Sequence, residues 1–161
     1  KTKYLNSKKY SVTIDLLGEH VSELSESKNI TDIYSYIDEK KFIISGFMPK
    51  NSSSNYGLIQ VTFKINDDKY IVHGIGGNIN PISTSECFSK KKEAEKNISE
   101  IFKNFEKFGP VTVKHPVDKT GKSTVNQISY NLNSRAVALI ECYDFSEQVS
   151  YPDSFVISIY S

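Results

Sequence analysis

The sequence predicts an α+β fold. An antiparallel meander sheet of about seven to nine strands packs against one long amphipathic helix over about residues 84–108. Three observations predict it. Apolar and polar residues alternate through much of the chain, the connections are short and turn-like, and in one stretch the apolar spacing changes from two to three or four. At 161 residues the chain is expected to form a single globular domain, residues 1–161.

The strands can be justified in order. Tyr10 to Leu16 is a first candidate, followed by a short helix or irregular stretch near residues 18–26. Ile33 to Ile37, the turn-forming Asp38-Glu39-Lys40-Lys41 and the apolar run from Phe42 toward Met48 read as a hairpin. Asn51-Ser52-Ser53-Ser54-Asn55 is a surface loop. Ile59, Val61, Phe63 and Ile65 alternate with Gln60, Thr62, Lys64 and Asn66, the pattern of a half-buried strand. Asn66-Asp67-Asp68-Lys69 turns the chain, and Tyr70 to His73 returns. Val111 to Val117, then Ile128, Tyr130 and Leu132, then Ala136 to Tyr143 across an Asn133-Ser134 turn, and Phe155 to Tyr160 complete the set. The halves echo each other loosely, with no residues matching in register, so no repeat is assigned.

The helix is the exception to the alternation. Cys87, Ala94, Ile98, Ile101, Phe102, Phe105 and Phe108 form one stripe at helical spacing. Ser83-Thr84-Ser85-Glu86 has the form of a capping box, and Gly109-Pro110 supplies the expected stop. Lys90-Lys91-Lys92 reads as the solvated face.

Composition excludes several classes of function. Twenty basic and nineteen acidic residues leave a net charge of +1, which offers no field for nucleic acid or an anionic membrane. No apolar run is long enough to span a bilayer. The chain begins at Lys1 without an apolar leader, so any export signal is expected to have been removed. Cys87 on the helix stripe and Cys142 on the Ala136-Ala138-Ile140 strand face can face each other, and a disulfide between them points to a secreted or periplasmic protein.

No motif spells out catalysis. Thr120-Gly121-Lys122-Ser123-Thr124 resembles half of a phosphate-binding loop, but Pro116 stands where that loop needs its first glycine, and a strand follows instead of a helix. Asp118-Lys119-Thr120-Gly121-Lys122 therefore reads as a hairpin tip, with Gly121 at positive φ. Gly74-Ile75-Gly76-Gly77 reads as a glycine-rich strand exit rather than a dinucleotide fingerprint. His20, His73 and His115 stand too far apart for a local metal site, and no cofactor is expected.

The strongest functional signal is the aromatic content of a connection, Tyr143, Phe145 and Tyr151, with Phe155 following. Rigid amphipathic rings in a loop suit a protein partner. The expected function is therefore a non-catalytic binding protein, such as an inhibitor, an immunity-type factor or an accessory subunit. Its partner is another protein, contacted through Tyr143, Phe145, Tyr151 and the hairpin-tip residues Lys119 and Lys122. A carrier of a small apolar ligand between sheet and helix is the alternative, and a hydrolase assembled from scattered residues the third.

Overall fold

The computed structural model describes residues 30–35, 42–47, 56–64, 71–132 and 136–161. The sequence expectations for Tyr10–Leu16, 18–26, Asn51–Asn55, the Asn66–Lys69 turn and the Asn133-Ser134 turn fall wholly or largely outside them. The chain divides into two compact units, Lys1–Asn78 with Ser158–Ser161, and Ile79–Ile157.

In the first unit β1 (Ile30–Ser35), β2 (Phe42–Phe47), β3 (Leu58–Lys64) and β4 (Val72–Ile79) run antiparallel in chain order. Ile33 pairs with Ser45, Ser45 with Val61, and Val61 with Ile75. The hairpin expected around residues 33–44 is present as β1 and β2. Val61 and Phe63 of β3 and Val72 and Ile75 of β4 are buried, and Thr62 between the first two is buried as well. The glycine run is not a strand exit. Gly74, Gly76 and Gly77 lie inside β4, and neighbouring rings take the space of the missing side chains at Gly74 and Gly77. A Cβ at Gly77 would sit 2.5 Å from the Tyr56 ring, and one at Gly74 would collide with Tyr160.

The second unit holds α1 (Thr84–Ile101), β5 (Glu106–Lys114), β6 (Thr124–Asn131), β7 (Val137–Asp144) and the start of β8 (Ser154–Tyr160), with strand order β8-β7-β6-β5. Here one helix packs on an antiparallel sheet, the expected α+β arrangement. The expectation of seven to nine strands in one meander needs correcting, since the described strands are shared between two units and neither holds that many.

The helix follows from its sequence at the start and departs from it at the end. Ser83 Oγ accepts from the Glu86 backbone N–H at 3.3 Å, and the Glu86 carboxylate accepts from the Ser83 N–H at 3.2 Å, closing the capping box. These bonds from Ser83 hold the Glu86 carboxyl below its ordinary range. Cys87, Ala94 and Ile98 face inward. The expected end near Phe108 is seven residues too late, because α1 stops at Ile101. Phe102 caps it with its N–H on the Ile98 carbonyl, and its ring packs 5.6 Å from Tyr130. The helical spacing of Phe105 and Phe108 is coincidental, and both are exposed. Gly109-Pro110 does not stop the helix. It forms a bulge within β5, where Gly109 takes φ +97°, and a bulge is one of the few strand positions that tolerates proline.

Candidate functional site

In the second unit Cys87 and Cys142 form a disulfide with Cα atoms 5.9 Å apart, tying α1 to β7. The sequence reading of two facing cysteines is met. Around this bridge the helix–sheet layer is not purely apolar. Lys91, 4% exposed, donates to the Asn126 carbonyl at 3.2 Å and to the Asn126 side chain, and desolvation lowers its pKa. Ser99 hydrogen-bonds the Tyr130 hydroxyl at 2.7 Å.

At one end of this sheet two connections meet, 115–123 between β5 and β6, and 145–153 between β7 and β8. The first is the expected hairpin tip. The His115 N–H bonds the Ser123 carbonyl at 2.9 Å, extending the ladder, and Gly121 has φ +70°. Its organiser is Asp118, a residue the sequence reading treats only as part of the turn. One carboxylate oxygen accepts from the Thr120 N–H at 2.8 Å and the Thr120 hydroxyl at 2.7 Å. The other accepts from the Ser123 N–H at 2.8 Å, the Ser123 hydroxyl at 2.7 Å and the Ser146 hydroxyl at 3.0 Å. Led by the Thr120 and Ser123 side chains, these bonds hold Asp118 well below the usual carboxylate range. Ser146 belongs to the second connection, and its N–H also bonds Ser123 Oγ at 2.9 Å. Asp118, Ser123 and Ser146 therefore join the two connections. On the far side of the second, Asp153 accepts from the Phe145 N–H at 2.8 Å.

The aromatic residues expected to bind a partner stand on this base. His115, 7% exposed, lies 5.0 Å from the Phe145 ring and 5.6 Å from Tyr143. Tyr143 and Phe145 stack with centroids 5.8 Å apart, and Tyr151 leans on Phe145 at 5.5 Å. Tyr143 and Phe145 are half-buried, and Tyr151 is 50% exposed. Lys119 and Lys122 are exposed on the neighbouring tip, and so is Val117. Phe155, the fourth aromatic of the stretch, is fully buried in β8 and belongs to the core.

This arrangement is poorly suited to catalysis. The Ser123 hydroxyl donates to Asp118 rather than to an imidazole, so no general base takes its proton. Asp118 is saturated with donors and a weak base. Nδ1 of His115 accepts from the Val117 N–H at 3.2 Å, which places the neutral ring's proton on Nε2. Burial lowers the pKa of that ring, with Asp118 opposing. His73 is elsewhere, edge-on to Phe42 in the first unit. Among the described residues no group of three His, Cys, Asp or Glu side chains could hold a metal, and no helix is long and apolar enough to cross a membrane. The hairpin tip leads into β6, not into a helix whose N-terminus could hold a phosphate. Compared with known proteins, the chain matches no family model, no curated protein and no solved structure.

Proposed function

We propose that the protein is a non-catalytic binding protein of a secreted or periplasmic compartment. It recognises another protein through Tyr143, Phe145 and Tyr151, flanked by Lys119 and Lys122. The observation that carries this reading is Tyr151, half exposed while its ring rests on Phe145 above a hydrogen-bonded base. A large ring held in place loses little freedom on binding, and a projecting tyrosine on a supported aromatic cluster is the usual chemistry of a binding hot spot. The Cys87–Cys142 bridge supports the compartment, since such bonds persist where thiols are oxidised. The carrier reading draws no support from the helix–sheet layer, which is bridged by a disulfide and a buried lysine.

The experiment is a paired capture. Wild-type protein and Tyr151→Ala are immobilised and exposed to the extracellular or periplasmic fraction of the source cells, with bound proteins identified by mass spectrometry. A partner held by the wild type and lost by Tyr151→Ala, at unchanged melting temperature, is the expected result. Equal capture by both would remove Tyr151 from the interface, and with it the basis of the proposal.

A further inference from the structure

We infer that β5 accepts an extended acidic segment of the partner as an added strand. The inference rests on the partner-binding reading above and names how the partner is held.

Among the described residues β5 stands last in the strand order of the second unit, with β6 on one side only. All nine of its residues are exposed, including Phe108 at 47%, Val111 at 44% and Val113 at 41%. The backbone direction of this edge follows from one hydrogen bond. The His115 N–H donates to the Ser123 carbonyl, so residue 115 points its polar groups at β6. In an antiparallel ladder that direction alternates, so Val113 and Val111 also point at β6 while Thr112 and Lys114 point away. Thr112 and Lys114 therefore present two N–H and two C=O groups outward, the spacing a new strand requires. Of the common protections of an edge, the bulge and Pro110 precede Val111, Val111 to Lys114 pair with β6 in unbroken register, and only a lysine, Lys114, stands within the stretch.

Charge selects the occupant. The edge ends at the hairpin tip, where the Lys114 ammonium lies over Gly121, 3.2 Å from where a Cβ on that glycine would stand. Lys119 and Lys122 are exposed on the same tip. The nearest acid in sequence, Asp118, is buried and accepts from hydroxyls and amides, not from these lysines. Three ammonium groups at the end of this edge attract carboxylates. Antiparallel addition, the more stable pairing, places the N-terminal end of the incoming segment at the lysines. Its acidic residues then belong at that end, with β-branched residues beside Val111 and Val113.

The test uses the disulfide-intact chain labelled with nitrogen-15 and two probes, Ac-Glu-Glu-Val-Thr-Val-Thr-NH2 and Ac-Lys-Lys-Val-Thr-Val-Thr-NH2. The acidic peptide is expected to shift the Thr112 and Lys114 amide resonances at millimolar concentration, with affinity about tenfold above that of the basic one at low salt. Thr112→Pro, which removes only an outward N–H from the ladder, should abolish those shifts. Lys119→Glu with Lys122→Glu should reverse the preference between peptides, a readout that survives if the proline variant fails to fold. The idea is overturned if the two peptides bind equally, or if neither moves β5 resonances up to about 10 mM, a generous ceiling for a weak strand addition. It is equally overturned if the free protein dimerises through Thr112 and Lys114, which would assign the edge to a second copy. Shifts confined to Tyr143, Phe145 and Tyr151 would sink the edge proposal and leave the aromatic one standing.

Discussion

Reducing the Cys87–Cys142 bridge tests how much of the second unit's stability comes from constraining the unfolded chain. The cysteines are 55 residues apart, and the bridge runs from the first turns of α1 to β7 within one compact unit. In the chain-entropy treatment, closing a loop of that length removes about 14 cal/mol/K from the unfolded ensemble, or about 4 kcal/mol at 25 °C. Unfolding entropy is about 2.1 cal/mol/K per residue. If all 161 residues unfold together, reduction should therefore lower the melting temperature by about 12 °C. If Ile79–Ile157 unfolds on its own, the smaller entropy roughly doubles that shift. Circular dichroism melts with and without reductant, paired with alkylation and intact mass, supply both readings. Untreated protein should show no free thiol, and reduced protein should take two alkyl groups. Reduction keeps both sulfur atoms in place, so the shift reports the bond and not a cavity. A reduced protein melting within about 3 °C of the oxidised one would refute the loop-closure reasoning. Two reactive thiols without reductant would remove the support for an oxidising compartment.

Glu141 is buried in β7, and desolvation pushes its pKa up to about 7 against the opposing Tyr143 hydroxyl, 3.1 Å away, and the charge of Lys91. Between about pH 4.5 and 7 the folded state then binds more protons than the unfolded one, so stability should fall as pH rises through that window, by about 3 kcal/mol at most. Urea titrations at pH 5 and 8 check this, and Glu141→Gln should flatten the difference; an unchanged difference in that variant would assign the effect elsewhere. Asp118→Asn replaces an acceptor of five bonds with a group that cannot accept them all, so amide exchange should accelerate at Thr120, Ser123 and Ser146 while the α1 amides keep their protection. Because the Asp118 pKa is depressed in the folded state, the same loosening should develop in the wild type as pH falls below about 4, and unchanged exchange under both conditions would show that Asp118 does not hold the two connections together.

Much of the fold is legible because period and capping are local. β3 is read from four alternating apolar residues, and the start of α1 from Ser83 and Glu86, whose bonds span three positions. The end of α1 is not legible, because Phe105 and Phe108 continue the helical spacing by coincidence while their environment turns to solvent. What ends the helix is the pull of Phe102 onto Tyr130, 28 residues later, and the start of β5, neither of which marks residues 101–105 themselves. The glycines of β4 mislead for a related reason. Alone they signal a bend, yet Tyr56 and Tyr160 fill the space above Gly77 and Gly74, and those ring contacts are tertiary.

The site divides along the same line, between what a residue type announces and what only the fold supplies. Tyr143, Phe145 and Tyr151 stand out because rings in a connection need either a core or a partner, and Cys87 and Cys142 because each sits on an apolar face of its element. Asp118 announces only a turn. Its bonds to Thr120 are the Asx chemistry that a turn aspartate makes anyway, and nothing local separates it from Asp67 or Asp68. Its consequence lies in the bond from Ser146, 28 residues away, which joins the tip carrying Lys119 and Lys122 to the connection carrying Phe145 and Tyr151. Without that join, each connection would have to be ordered separately when a partner binds, at a conformational cost charged against affinity. With it, the cationic tip and the aromatic cluster are held as one surface before any partner arrives. A buried, fully bonded carboxylate is thus the positioning residue of the proposed interface.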